Sequence, residues 1–243
     1  MAAPGGHRLA GRLALVTGAS RGIGAAVAKR FAAEGAQVIL LARTVGALEA
    51  IDDEIRAGGS AATLLPLNLR DFDKLDQMAA ALHQRFGRLD VLVGNAGVLG
   101  TLSPMGHFEP KTWAEVMEVN LTANWRLIRA LDPLLRLSDA GRAIFTTCAA
   151  ARDPLPYWGA YAASKAALET MARIYAAEVA STAIKVNLVD PGIVGTRLRT
   201  QGFPGEDRAK LPAPEDVTEP FVAAAAAECA TQGEILHAWA ARA

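Results

Sequence analysis

Six short runs of β-branched or aliphatic residues divide the chain: LALVT, QVILL, AATLLPL, RLDVLVG, RAIFTTC and IKVNLVD, each ending at a turn or polar cluster. Runs this short and this continuously apolar suit strands buried on both faces. Longer segments lie between them, with apolar residues at helical spacing. IGAAVAKRFAAEG and VGALEAIDDEIRAGG each close on glycine, a helix-ending signal, and a third patterned stretch runs from Trp113 to Leu137. Strand and helix alternate throughout, which predicts an α/β fold: a doubly wound parallel sheet of six to seven strands, helices on both faces, and a ligand crevice beyond the strands' carboxyl ends. No linker or repeat breaks the alternation, so residues 1–243 read as a single domain. The irregular stretch at about 193–216 includes TQGFPGEDRAKLPAPED, with three prolines and two glycines, and reads as a mobile lid over the substrate.

Composition narrows the partners. Lys plus Arg and Asp plus Glu both total 25, leaving no basic stripe to neutralise a phosphate backbone, so nucleic acid is not expected. No stretch approaches the roughly 18 apolar residues of a membrane span, and MAAPGGHRLAGR lacks a signal-peptide core. A soluble, cytoplasmic protein with no membrane partner is expected. Two cysteines and four scattered histidines give no metal-ligand spacing, so no metal site is expected.

Candidate chemistry begins after the first strand, where TGASRGIG places Gly18, Ser20, Arg21, Gly22, Ile23 and Gly24 ahead of a helix. Glycines there permit a tight turn and let backbone amides approach a pyrophosphate at the helix amino terminus, where the dipole favours anions. Arg43 ends the second strand, where such folds read the adenosine ribose. A guanidinium suits a 2′-phosphate, so Arg43 with Arg21 favours NADP(H) over NAD(H). Asn68 and Leu69 follow the third strand, with Asn68 available either to the adenine edge or to a local turn. Asn95, Ala96 and Gly97 follow the fourth, small enough for the adenosine half to lie against the chain.

Together TGASRGIG at 17–24, NAG at 95–97, Asn120 in EVNLT, YAASK at 161–165 and DPG at 190–192 resemble the short-chain dehydrogenase/reductase family over nearly the whole chain. WGAYAASK and GFPGED further resemble a bacterial subgroup of oxidoreductases. The resemblance implies a Rossmann-type domain that transfers hydride between a nicotinamide and a carbonyl or alcohol. It implies Asn120, Tyr161 and Lys165 as catalytic residues, with Asn120 distorting its helix and holding a proton-relay water. Tyr161, Lys165, Pro191, Gly192, Val194 and Thr196 would touch the cofactor, and family members pair as homodimers or homotetramers through the helices here at about 112–137 and 157–180. In the family a serine stands thirteen residues before the tyrosine. Here that position is Cys148.

Tyrosine titrates near pH 10, so it exchanges protons poorly at neutral pH unless its phenolate is stabilised. Lys165 lies one helical turn on. A cation about 4 Å away at an effective dielectric of about 20 is worth roughly 4 kcal/mol, enough to lower the tyrosine by up to about 3 pH units before desolvation is counted. A thiol at Cys148 is a weak donor for the substrate oxygen. Thr146 is expected on the same strand face but too far back to replace it, with Thr147 facing away. Cys148, Ala150, Tyr157 and Tyr161 are the expected substrate contacts, with walls from 101–108, 149–157 and the loop after Pro191, suiting a hydrophobic carbonyl or alcohol. The expected activity is that of an NADP(H)-dependent carbonyl reductase. The alternative is a dinucleotide-binding scaffold or redox-sensing subunit with little or no catalysis.

Overall fold

The computed structural model describes residues 7–153 and 155–239. The first six residues of the amino-terminal segment, Pro154 on the expected substrate wall and the last four residues of the tail lie outside that range. Seven strands form one parallel sheet in the order β3-β2-β1-β4-β5-β6-β7. They are β1 (Leu13–Thr17), β2 (Gln37–Ala42), β3 (Ala62–Pro66), β4 (Val91–Gly94), β5 (Arg142–Thr146), β6 (Lys185–Asp190) and β7 (Ile235–His237). The chain reverses its direction of winding between β1 and β4, and a crevice opens beyond their carboxyl ends.

Successive strand residues point to opposite faces, and each face has its own core. Val16 and Leu40 pack with Phe31 and Phe221 under the helices α1 (Gly22–Ala33), α2 (Val45–Ala57) and α8 (Glu219–Ala225). Leu15, Ile39 and Leu92 pack with Leu127 and Leu168 under α3 (Phe72–Phe86), α5 (Ala123–Leu135) and α6 (Gly159–Glu178). The expected glycine stops are present: Gly35 and Gly59 follow α1 and α2 with φ of +87° each, a conformation that side chains with a Cβ resist.

At the amino end of the sheet, opposite the crevice, Asp90 ties three elements together. Its Oδ2 accepts from Leu13 N at 2.8 Å and its Oδ1 from Ser138 Oγ at 2.5 Å and Arg88 Nε at 3.0 Å.

Two boundaries differ from the sequence pattern. β5 stops at Thr146, after which Thr147 N makes a last bond to Val189 O at 2.9 Å and the chain leaves the sheet. Cys148 therefore opens the short 3-10 turn Ala149–Ala151 rather than ending a strand. The stretch from Trp113 to Leu137 is also not one helix. α4 (Pro110–Met117) passes into a π turn at Glu118–Thr122 before α5 begins. The region at 193–216 is a short helix, α7 (Arg197–Gly202), and two 3-10 turns, folded back on itself by Gly195 N to Pro212 O at 2.9 Å and Arg208 Nη2 to Gly195 O at 2.8 Å.

Candidate active site

A cavity of about 730 Å³ occupies the crevice, running from the α1 turn to α6 and roofed by residues 191–199. At one end lies the turn between β1 and α1. Arg21, the residue before α1, supplies no side-chain cap, so none of its own polar atoms competes for the helix's leading amides. A Cβ on Gly24 would come within 2.4 Å of Gly18 O and 2.5 Å of Asn95 Nδ2, so only glycine lets the helix start this close to the strands. Thr17, the first residue of the TGASRGIG motif, fastens the two strand ends. Its Oγ1 donates to Val93 O at 3.1 Å and accepts from Asn95 N at 2.9 Å and Ala96 N at 3.1 Å.

Arg21 and Arg43 both line this end, exposed, and among the described residues neither enters an ion pair. Asn68 lines the cavity while its Oδ1 accepts from Arg70 N at 3.2 Å, so its side chain serves the local turn. A dinucleotide phosphate fits these residues: uncapped amides, a glycine turn without side-chain bulk and two free guanidiniums.

At the other end, α6 presents Tyr161 and Lys165 one turn apart. Lys165 is 3% exposed, donates to Thr146 O at 2.7 Å, and its Nζ lies 5.9 Å from the Tyr161 ring centroid. Cys148 packs against the same small cluster as Tyr161, Leu99 and Ala150. Thr146 Oγ1 is directed at Asn95 Oδ1, 3.3 Å away, and Thr147 Oγ1 at Glu169, so neither hydroxyl stands in for the missing serine.

Electrostatics here run against the sequence-based expectation. Burial pushes the Tyr161 phenol well above its ordinary value, and the neighbouring Cys148 and Asp190 add to the shift. Burial also pulls Lys165 below its ordinary value, only partly offset by Cys148. The lysine charge does not win because both groups have left water, and desolvation disfavours phenolate and ammonium alike. The resting Tyr161 therefore holds its proton firmly.

Asn120 lies in the π turn, fully buried. Its Oδ1 accepts from Val98 N at 2.8 Å, and its Nδ2 donates to Val98 O and Ser164 Oγ, both at 3.0 Å. The amide thus joins the loop after β4 to α6. Asn124 is a separate buried amide that donates to Asn120 O at 2.8 Å.

The family model for short chain dehydrogenases matches residues 12–207. The chain belongs to this family. It is an oxidoreductase similar to the Escherichia coli K12 oxidoreductase YciK, 39% identical over 209 residues that make up 85% of this chain and 82% of the relative. It is also similar to the E. coli 3-oxoacyl-[acyl-carrier-protein] reductase FabG, 35% identical over 83% of this chain and 80% of that one. Among solved structures, a short chain dehydrogenase of E. coli CFT073 in complex with NADPH superposes with a TM-score of 0.93 at 36% identity, covering 98% of this chain and 100% of that one.

Within this dehydrogenase, the cavity gathers most of the residues that the sequence marks. Gly18, Ser20, Arg21, Gly22, Ile23, Arg43, Asn68, Leu69, Asn95, Ala96, Gly97, Pro191, Gly192, Val194 and Thr196 line it with Cys148, Ala150, Tyr161 and Lys165. Gly24 and Asn120 act from behind the surface through the packing and hydrogen bonds given above. Tyr157 departs from its expected place. It is 60% exposed, is not among the lining residues, and carries a φ of +74°, which turns its side chain to solvent just before α6 begins. Trp158 takes that wall instead, 5.8 Å from the Tyr161 ring and 5.5 Å from Phe203. Residues 101–108 do not line the cavity either; Met105 and Phe108 pack on Gly159 at the start of α6. Of the three aromatics that the sequence offers to this wall, Tyr157, Trp158 and Phe203, Trp158 is the one that lines the cavity.

Proposed function

We propose that this dehydrogenase is an NADP(H)-dependent oxidoreductase acting between a carbonyl and its alcohol, working in the direction of carbonyl reduction. The observation that carries the reading is the convergence of Tyr161, Lys165 and Cys148 in the same cavity that holds Arg21 and Arg43 at the α1 turn. Bound NADPH would supply the hydride. The protein's own residues supply the rest. A Tyr161 that keeps its proton at neutral pH suits proton donation to a substrate oxygen as charge develops there. Lys165, held on Thr146 O, places a cationic group one turn away, and Asn120 keeps the loop after β4 against α6. Cys148 offers its weak S–H to the same oxygen, in the place of the family's serine, and slows the reaction.

The apolar wall of Ala149, Ala150, Leu155, Trp158, Ile193 and Leu198 suits a hydrophobic carbonyl compound. NADP(H) is supported by the two unpaired arginines and by relatives of E. coli and Shigella flexneri solved with NADPH and NADP. A homodimer or homotetramer is supported by the half-exposed Trp125 on α5 and Ile174 on α6. The second reading, dinucleotide binding without turnover, is favoured by Cys148 alone. The purified protein should oxidise NADPH with a member of a carbonyl panel, and Tyr161→Phe should lower turnover by about 10²-fold or more with NADPH affinity kept. No turnover in either the unaltered or the Cys148→Ser protein would sink the proposal.

A further inference from the structure

Arg152 follows the 3-10 turn at Ala149–Ala151 and does not line the cavity, so none of the chemistry above uses it. Its guanidinium lies behind the site, where Nη1 donates to Glu169 Oε1 and Nη2 to Asp190 Oδ2. Those carboxylates are only 4% and 5% exposed. Each is engaged further. Glu169 lies on α6 one turn beyond Lys165 and accepts from Thr147 Oγ1 at 2.7 Å, while Asp190 Oδ1 accepts from Gly192 N at 3.0 Å. One guanidinium therefore joins the Cys148 turn, α6 and the 190–192 turn, three walls of the cavity.

The surrounding charges are few. Arg173 Nη2 reaches Glu169 Oε2 at 3.3 Å from the exposed side, and His237 Nδ1 stands 3.9 Å from Asp190 Oδ2. Toward Tyr161 the ionisable groups are Lys165, Cys148 and Asp190. Among the described residues, Arg152 is the one cation that contacts both buried carboxylates. We propose that Arg152 is a positioning residue, which pins the Cys148 and 190–192 turns to α6 and partly offsets the negative charge of Glu169 and Asp190 behind Tyr161. The kinetic half of this proposal rests on the reading of Tyr161 as the proton donor; the structural half does not.

The test uses Arg152→Met and Arg152→Lys in the full chain. In Arg152→Met the buried carboxylates lose their cation, and an unpaired charge held out of water is costly. The resulting loss of stability is absent below the unfolded carboxylate range of about 4 and grows as pH rises. Thermal unfolding without cofactor should show a deficit against the unaltered protein that is larger by a few degrees at about pH 8 than at about pH 5. With a carbonyl that the protein turns over, kcat should fall about 10-fold or more, and the limb of its pH profile should move about one unit toward alkaline. NADPH affinity should stay within about twofold. Arg152→Lys keeps the charge but not the two-pronged grip, so it should return the limb and recover only part of kcat.

An equal stability deficit at both pH values, an unmoved limb, or a lysine variant no better than methionine overturns the proposal. If Arg152→Met does not fold, adding Glu169→Gln removes one buried charge and should restore folding; a double variant that stays unfolded overturns it. An unaltered protein without turnover on the panel refutes the oxidoreductase reading instead, and the unfolding comparison alone then decides the clamp.

Discussion

On the proposed reading, Cys148→Ser would put a hydroxyl where a thiol would face the substrate oxygen. Deleting one full oxyanion donor typically costs about 10²- to 10³-fold in rate. A thiol retains part of that donation, so restoring the hydroxyl should speed the chemical step by about 10-fold, or about 1.4 kcal/mol of barrier. The opposing effect is packing. Cys148 sits in the small cluster of Leu99, Ala150 and Tyr161, where exchanging sulfur for oxygen removes volume and some apolar contact at a cost of about 1 kcal/mol or less. That cost falls on global stability rather than on the barrier, so the rate should rise while Tm drops slightly. The assay is single-turnover oxidation of prebound NADPH followed by nicotinamide absorbance, because steady-state kcat can hide a faster chemical step behind product release. A single-turnover rate equal to or below the unaltered one, with NADPH affinity unchanged, would refute the reasoning and assign the thiol itself a part in the chemistry.

Two further outcomes follow from individual contacts. Arg43→Ala should weaken NADPH binding by about 10-fold while NADH binding stays within about twofold, measured by calorimetry; equal losses for both would mean that the guanidinium does not read the 2′-phosphate. Burial raises the Asp90 carboxyl, but hydrogen bonds from Ser138, Leu13 N and Arg88 outweigh it and hold the group below its ordinary value. A depressed folded-state pKa contributes stability above the unfolded value, lost as pH falls through the folded one, so Asp90→Asn should lower Tm at neutral pH by a few degrees and flatten its fall below about pH 4. An acid limb of the same steepness in the variant would exclude Asp90 as its source.

What the sequence revealed and what it hid divide along a physical line. The alternation of strands and helices, the glycine turn, and Tyr161 with Lys165 are local patterns, set by spacing along one element, and they read directly. Of the aromatics that the sequence offers to the substrate wall, which ones turn inward is set by backbone geometry. The positive φ of Tyr157 decides that, and a β-turn geometry unusual for tyrosine leaves no sequence periodicity. The direction of the Tyr161 shift stays out of the sequence for a different reason. Helical spacing gives the attraction of a nearby lysine, whereas the desolvation of both groups comes from the walls that close around them. Arg152, Glu169 and Asp190 lie 17 to 38 residues apart and meet only because β5, α6 and β6 adjoin in the sheet order.

The wide turn at Glu118–Thr122 holds more chain than a regular helix needs, and it is the place where Asn120 reaches Val98 and Ser164. Removing a single residue from it would let α4 run straight into α5, with better backbone hydrogen bonding and less awkward geometry. It would also remove the bulge that lets the Asn120 amide reach Val98 and Ser164. Selection for heat tolerance and selection for turnover therefore pull in opposite directions at these five positions. A library of one-residue deletions, sorted first by melting temperature and then by activity, should yield its most robust and least active members here.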